Sequence, residues 1–188
     1  MVTIRKRSFV NCICGTKRSG RNSRGLFHGA LLLIPMLLMG CAEVDLTLPT
    51  AEEVESVFLY DGTLTATMNG NVAEVTIVQA ERQLRRGGTL WAKVGPYVFL
   101  FSKESEGLFR DYPGLAGIRV VTVTPGKIEV ARAFLPRNEL NDVTWRRALN
   151  ISGLARRDGT RRPTLLESLV EWGEDHTEFA YSTRFTST

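Results

Sequence analysis

Alternating apolar and polar residues predict a β-rich block that begins near residue 64. The segment LTATMN (64–69) alternates in this way, and Asn69-Gly70, a pair typical of two-residue hairpin turns, precedes the apolar run VAEVTIV (72–78). These features predict a β-hairpin. The basic segment ERQLRRGG (81–88) that follows is polar and ends in two glycines, so we expect a loop there.

A second pair of strands is predicted around Gly95-Pro96. The apolar runs TLWAKV (89–94) and YVFLFS (97–102) flank this turn-forming dipeptide. Residues 98–101 are apolar without alternation, and such a pattern is typical of a strand that is covered on both faces.

Three further strands are predicted in the second half of the chain. The runs IRVVTV (118–123) and KIEVARAF (127–134) are joined by Thr-Pro-Gly-Lys at 124–127, which indicates a third hairpin. Residues 178–185 alternate between aromatic or Thr positions and polar or small ones, and therefore predict a last strand that returns to the sheet with one buried face.

Helix-start signals occur at three positions. Thr50 and Glu53 form a capping-box pattern, as do Thr164 and Glu167, and Ser102 stands where a cap residue would begin another helix. From residue 138 the apolar residues also adopt a helical period. Helices are predicted over 50–58, 103–112, 140–153 (or one turn further) and from 164 to a stop at Gly173.

These elements predict an α+β fold for residues 50–188, as one small domain. The expected architecture is a mostly antiparallel sheet of about six to seven strands, with about three to four helices packed on it. The return of the final strand to the sheet favours a single domain over a β domain followed by a helical hairpin. With 188 residues, of which 43% are hydrophobic, the chain is long enough to bury a core.

Charge is distributed unevenly along the chain. Of the 24 basic residues, seven lie in residues 1–40, which contain no acidic residue, so the remainder carries 17 basic against 20 acidic residues and a net charge of −3. The overall charge of +4 therefore reflects the N-terminal segment, and it gives no support for a nucleic-acid partner.

The N-terminal segment has the pattern of a secretory signal peptide. A basic region precedes an apolar run at 26–39, which is shorter than the ~20 residues that cross a bilayer. The run ends in Leu38-Met39-Gly40-Cys41, which resembles the lipobox of bacterial lipoproteins. The resemblance implies cleavage between Gly40 and Cys41 and acylation of Cys41, and it covers only the first forty or so residues.

The lipobox resemblance implies a domain organisation and a location. Residues 1–40 would be removed as a signal peptide, and residues 41–49 would form the lipidated cysteine and a short tether. The partner would then be the membrane, through a covalent lipid anchor, and Ala42 after the cysteine favours the periplasmic side of a bacterial outer membrane. The open alternatives are a signal peptide cut elsewhere and a buried apolar N-terminal helix.

Motifs for catalysis, metals or cofactors do not emerge from the sequence. His176 is the one histidine after residue 40, and it is either a base beside Glu174 or Asp175 or part of a polar connection, which we favour. We identify no metal ligands, no cofactor motif and no catalytic residue. A hydrolase that uses two carboxylates stays open, because such residues can lie far apart in sequence.

Arginines cluster in residues 145–162, where Asp158 is the one acidic residue. They are expected either to face the acidic residues of 167–178 or solvent, or, together with Trp145, to bind a phosphate or an acidic glycan. The candidate ligand or partner contacts are Trp145, Arg146, Arg147, Arg156 and Arg157.

We therefore expect a lipid-anchored cell-envelope protein that binds or assembles rather than catalyses. Its partner would be another envelope protein, a glycan or a lipid. The alternatives are an envelope hydrolase with a carboxylate pair and a lipid- or glycan-binding module.

Overall fold

The computed structural model describes residues 46–86 and 88–186, with the backbone alone at 85 and 86. Groups of helices and strands form an α+β fold with a single sheet, which confirms the predicted class. The strands are β1 (Leu64–Asn69), β2 (Val72–Val78), β3 (Gly117–Val123), β4 (Glu129–Pro136) and β5 (Glu178–Tyr181). The helices are α1 (Ala51–Val57), α2 (Glu81–Arg86), α3 (Gly88–Leu100), α4 (Lys103–Asp111), α5 (Asp142–Asp158), α6 (Pro163–His176) and α7 (Thr183–Thr186).

The sheet is mixed, and its strands lie in the order β1-β2-β3-β4-β5. The β1-β2 and β3-β4 pairs are antiparallel, as the hairpin signals predict, and β5 adds to β4 in the antiparallel sense. β2 and β3 are parallel, because the chain crosses back through α2, α3 and α4 before it forms β3. The predicted six to seven strands are thus too many for the described part of the chain, which has five.

The largest error of the sequence prediction lies at the central helix α3, where two strands were predicted. The runs at 89–94 and 97–102, predicted as two strands around a turn, belong to this single helix, and Gly95 and Pro96 lie inside it. A short apolar run does not distinguish a buried strand from a buried helix. Here α3 packs on β3 and β4 and also contacts α5 and α6, so nearly every side of it is covered.

Several smaller predictions also differ from the structure. The segment predicted as a loop at 81–88 is mostly the short helix α2, so there are more helices than the three to four expected. Helix α6 starts one residue before Thr164, with Pro163 in its first turn and no side-chain cap. It also continues past Gly173, where the absent side chain leaves room for the ring of Tyr97.

Local signals located the starts of α1 and α4 correctly. Thr50 and Glu53 form the predicted capping box of α1, and Ser102 accepts a hydrogen bond from the Ser105 amide at the start of α4. β5 is shorter than its predicted length, since it ends at Tyr181 and a turn of helix, α7, follows.

One face of the sheet carries the core. Paired residues such as Val75, Val120 and Ala133 are buried beneath α1 and α3, whereas their neighbours on the opposite face, for example Thr76 and Val121, are partly exposed. No helix among the residues described is both long and apolar enough to cross a membrane.

Candidate functional site

A cavity of about 200 Å³ opens where the parallel strands β2 and β3 end. Ligands of open α/β sheets commonly bind outside the carboxyl ends of parallel strands, so this position is a suitable one. Ile77 and Thr122 come from the two strand ends, and the loop before β1, the helices α2, α3 and α5 and the residue after β2 supply the rest. The lining residues are Leu59, Tyr60, Ile77, Gln79, Gln83, Trp91, Gly95, Val98, Phe99, Thr122 and Arg156.

Gln79 lines this cavity and carries an unpaired hydrogen-bond acceptor. Its backbone amide donates to the Val123 carbonyl, and its side-chain nitrogen donates to the Trp91 carbonyl at 2.8 Å. The second bond sets the orientation of the amide, because the nitrogen has to face the carbonyl oxygen. The Oε1 atom is buried and has no partner among the described residues. The whole residue is only 4% exposed.

The missing side chain of Gly95 shapes the floor of the cavity. A Cβ atom there would lie 3.0 Å from Thr122 Cγ2 and 3.2 Å from Gln79 Oε1, so even a methyl group would crowd both residues. The Thr122 hydroxyl donates to the Ala131 carbonyl at 3.2 Å. The donors at this floor are therefore already engaged, whereas an acceptor is not.

Aromatic rings form part of the wall. The ring of Tyr60 meets that of Phe99 edge to face, with centroids 5.4 Å apart, and the Tyr60 hydroxyl donates to the Val78 carbonyl. Burial raises the pKa of Tyr60, so its phenol stays neutral and cannot serve as a base near neutral pH. Together with Trp91, these rings offer flat apolar surfaces to a ligand.

Arg156 is the charged residue of the lining. It is exposed, as is Leu59 at 89%, so the two mark the open side of the cavity. Within the part of the chain that is described, Arg156 forms no ion pair; Glu104 lines a small adjoining pocket with it, without a contact within ion-pair distance.

The five candidate residues taken from the sequence lie in different environments in the structure. Trp145 is buried with its ring against Phe109, and the Arg146 side chain donates to the Asp142 carbonyl. Arg147 lies over the ring of Trp172, and Arg157 pairs with Asp158. Arg156 is the member of the set that lines the cavity.

Pairing of these arginines with the acidic residues of α6, one of the alternatives considered, is absent from the described ion pairs. Helices α5 and α6 do contact each other, but the arginines of 146–162 are exposed. Of the alternatives for this cluster, the solvated face describes five of the six arginines best.

His176 contacts neither of the two acidic residues beside which it was considered as a base. Its Nδ1 atom lies 3.2 Å from Glu139 Oε1, and its ring packs on Trp172. Glu174 instead accepts a hydrogen bond from the Tyr181 hydroxyl, which is 2.6 Å from that of Tyr97. The polar connection favoured from the sequence fits these contacts.

Gly40 and Cys41 lie outside the residues that the structure describes, so the lipobox stays a prediction. No group of three or more potential metal ligands occurs in residues 46–86 and 88–186. No family model, curated protein or solved structure matches this chain.

Sequence reasoning missed most of the cavity. Gln79 has no motif around it, and Trp91, Gly95 and Phe99 lie in the segment predicted as strands. One available signal was Gly95 inside a long apolar run, since a glycine within a helix or strand can mark a close approach of neighbouring groups.

Proposed function

We propose that this chain is a lipid-anchored envelope protein whose domain binds a small molecule in the cavity at the ends of β2 and β3, without catalysis. The observation that carries the proposal is the buried, unpartnered Oε1 atom of Gln79 in an aromatic-walled cavity. A buried acceptor without a partner costs ~1–3 kcal/mol, and an N–H or O–H group of a ligand would recover much of this cost.

Binding is favoured over hydrolysis by the chemistry of the lining. Among the described lining residues there is no carboxylate, histidine or cysteine, and the Tyr60 phenol is held neutral. A hydrolase with paired carboxylates would need two acids close to a bound substrate. Apolar rings with a few polar atoms are instead typical of ligand-binding pockets.

The anchoring part of the proposal rests on Leu38-Met39-Gly40-Cys41. The length of the tether is limited at Thr47. The Thr47 carbonyl accepts a hydrogen bond from the Gly114 amide, so the chain already lies against the domain there. At full extension the residues between Cys41 and Leu46 span at most ~17 Å. An acylated Cys41 would thus hold the domain close to the bilayer surface.

The anchor is tested by Cys41→Ser. We expect the wild-type protein to incorporate labelled palmitate and to begin at Cys41, and the variant to stay unlabelled and uncut. Equal labelling of the two proteins would refute the anchor.

The binding site is tested with the full-length protein in lipid nanodiscs, which avoids detergent that could enter the cavity. We expect 4-methylphenol, a ring-sized probe with one donor, to bind by calorimetry and to raise the unfolding temperature. Gly95→Ala should weaken this binding, because its Cβ crowds Gln79 Oε1, whereas Gly153→Ala, whose Cβ meets open space on α5, should not. Equal binding by both variants would place the probe elsewhere.

A further inference from the structure

Three properties of the cavity define which ligand fits it: its volume, the polarity of its floor and the charge at its opening. The inference below rests on the proposed binding function, because it assumes that a molecule occupies this cavity.

The volume corresponds to one ring. An engineered protein cavity of about 150 Å³ holds benzene, so the ~200 Å³ available here accommodates a six-membered ring with a small substituent. Tyr60, Phe99 and Trp91 would contact the ring, and flat aromatic surfaces favour stacked or edge-to-face contacts with another aromatic ring.

The floor accepts hydrogen bonds and offers none. Gln79 Nε2 is bonded to the Trp91 carbonyl and the Thr122 hydroxyl to the Ala131 carbonyl, which leaves the buried Gln79 Oε1 as the polar atom of the cavity floor without a described partner. An oxygen with a partial negative charge attracts an O–H or N–H group and repels a carboxylate. The inner end of the ligand is therefore a hydrogen-bond donor rather than an anion.

The opening of the cavity, unlike its floor, favours a negatively charged group. Arg156 lies at the exposed side, has no described ion-pair partner, and carries a guanidinium that suits a carboxylate or phosphate. Glu104 in the adjoining pocket reduces this positive field but does not pair with Arg156. The outer end of the ligand is therefore an anion.

We propose that the cavity binds a monocyclic aromatic acid whose ring lies among Tyr60, Trp91 and Phe99, with a hydroxyl or N–H group donated to Gln79 Oε1 and an acid group paired with Arg156. The donor and the acid stand on opposite sides of the ring. Arg156 is then the residue that selects acids over neutral rings, and Gln79 the one that selects a donor.

The test compares three probes of nearly equal size on the full-length protein in nanodiscs by calorimetry. 4-Hydroxybenzoate has both groups, 4-methylbenzoate lacks the donor and 4-methylphenol lacks the acid. We expect 4-hydroxybenzoate to bind most tightly, about threefold to tenfold better than 4-methylbenzoate, because a neutral hydrogen bond contributes that much. Its advantage over 4-methylphenol should be about twofold to fivefold and should shrink with added salt.

Two matched variants assign the charge. Arg156→Gln should abolish the advantage of 4-hydroxybenzoate over 4-methylphenol. Arg157→Gln, one residue along the same helix and bonded to Asp158, should retain that advantage. A loss of the advantage in Arg157→Gln alone would overturn the role of Arg156.

Other outcomes separate this inference from the proposed function. If 4-methylphenol binds as tightly as 4-hydroxybenzoate, the acid preference is wrong while the cavity remains a binding site. If glucuronate binds more tightly than any aromatic probe, the ring class is wrong and a sugar acid takes its place. If none of these molecules binds, the proposed function itself fails.

Discussion

The side-chain amide of Gln79 donates a hydrogen bond of 2.8 Å to the backbone carbonyl of Trp91. This bond joins the residue after β2 to the central helix α3 and sets the rotation of the amide. Its nitrogen serves the fold, whereas its oxygen is buried without a described partner, in a residue that lines the cavity. The two halves of one side chain thus have separable roles.

The first prediction concerns Gln79→Met. We expect the free energy of unfolding to change by less than about 1 kcal/mol, because the lost bond to Trp91 is offset by removal of an unpaired buried carbonyl. Urea denaturation of the variant and the wild type measures the change. Gln83→Met, at an exposed lining position, is the control and should lie within about 0.5 kcal/mol of the wild type. A loss above about 3 kcal/mol in Gln79→Met would make the amide mainly structural.

A pair of glycines gives the second prediction. Gly153→Ala should raise the free energy of unfolding by about 1 kcal/mol, because alanine favours a helix and its Cβ on α5 meets nothing. Gly95→Ala gains the same helical preference but brings its Cβ to 3.0 Å from Thr122 Cγ2, so it should be clearly less stable than Gly153→Ala. Thermal and urea unfolding of both variants provide the comparison. Equal gains in the free energy of unfolding would show that Thr122 and Gln79 move aside for the added Cβ at little cost.

The third prediction is a loss of stability at alkaline pH. Burial raises the pKa of Tyr97 and of Tyr181 above the ordinary value of 10.0. Above pH 10 the unfolded chain therefore releases protons that the folded chain retains, and the free energy of unfolding falls as the pH rises. Their stabilising contribution is fully present below pH 10.

Tyr181→Phe tests this assignment. The Tyr181 hydroxyl donates to Glu174, so the hydroxyl of Tyr97 has to donate to that of Tyr181. The substitution should cost about 1–3 kcal/mol at pH 7, since it leaves Tyr97 without this acceptor, and it should reduce the slope of stability against pH above 10. An unchanged slope in Tyr181→Phe would contradict the prediction.

Arg137 is the subject of the fourth prediction. Its guanidinium donates to the carbonyls of Phe109, Tyr112 and Leu115, and so it satisfies the C-terminal end of α4 with a favourable charge. Burial lowers its pKa from the ordinary range, but the group remains charged at neutral pH.

We expect Arg137→Met to lower the free energy of unfolding by at least about 2 kcal/mol, because bonds to a charged donor are strong. Arg137→Lys should recover only part of this, since one ammonium cannot reach three carbonyls. Arg132→Met removes a half-exposed arginine with a 3.7 Å contact to Glu129 and should cost less than about 1 kcal/mol. Equal losses at positions 132 and 137 would argue against the helix-end role.

Local chemistry explains which elements were predictable. The Asn69-Gly70 hairpin and the capping box of Thr50 depend on residues within a few positions of each other, so their pattern is readable along the chain. The same holds for the cap at Ser102. By contrast, the run that contains Gly95 and Pro96 is apolar without a clear period, and its helical state depends on what surrounds it.

By itself the sequence determined an α+β class, two of the hairpins, most helix starts and a lipobox-like N-terminus, because these depend on short-range periodicity and turn chemistry. Only the tertiary structure decided the parallel pairing of β2 with β3, the central helix α3 and the cavity. The cavity needs Gln79, Gly95 and Arg156 to meet from three separate elements, and such convergence is a property of long-range packing. The same packing buries Trp145 and leaves Arg156 at the opening of the cavity. From the sequence alone, both residues were candidate ligand contacts.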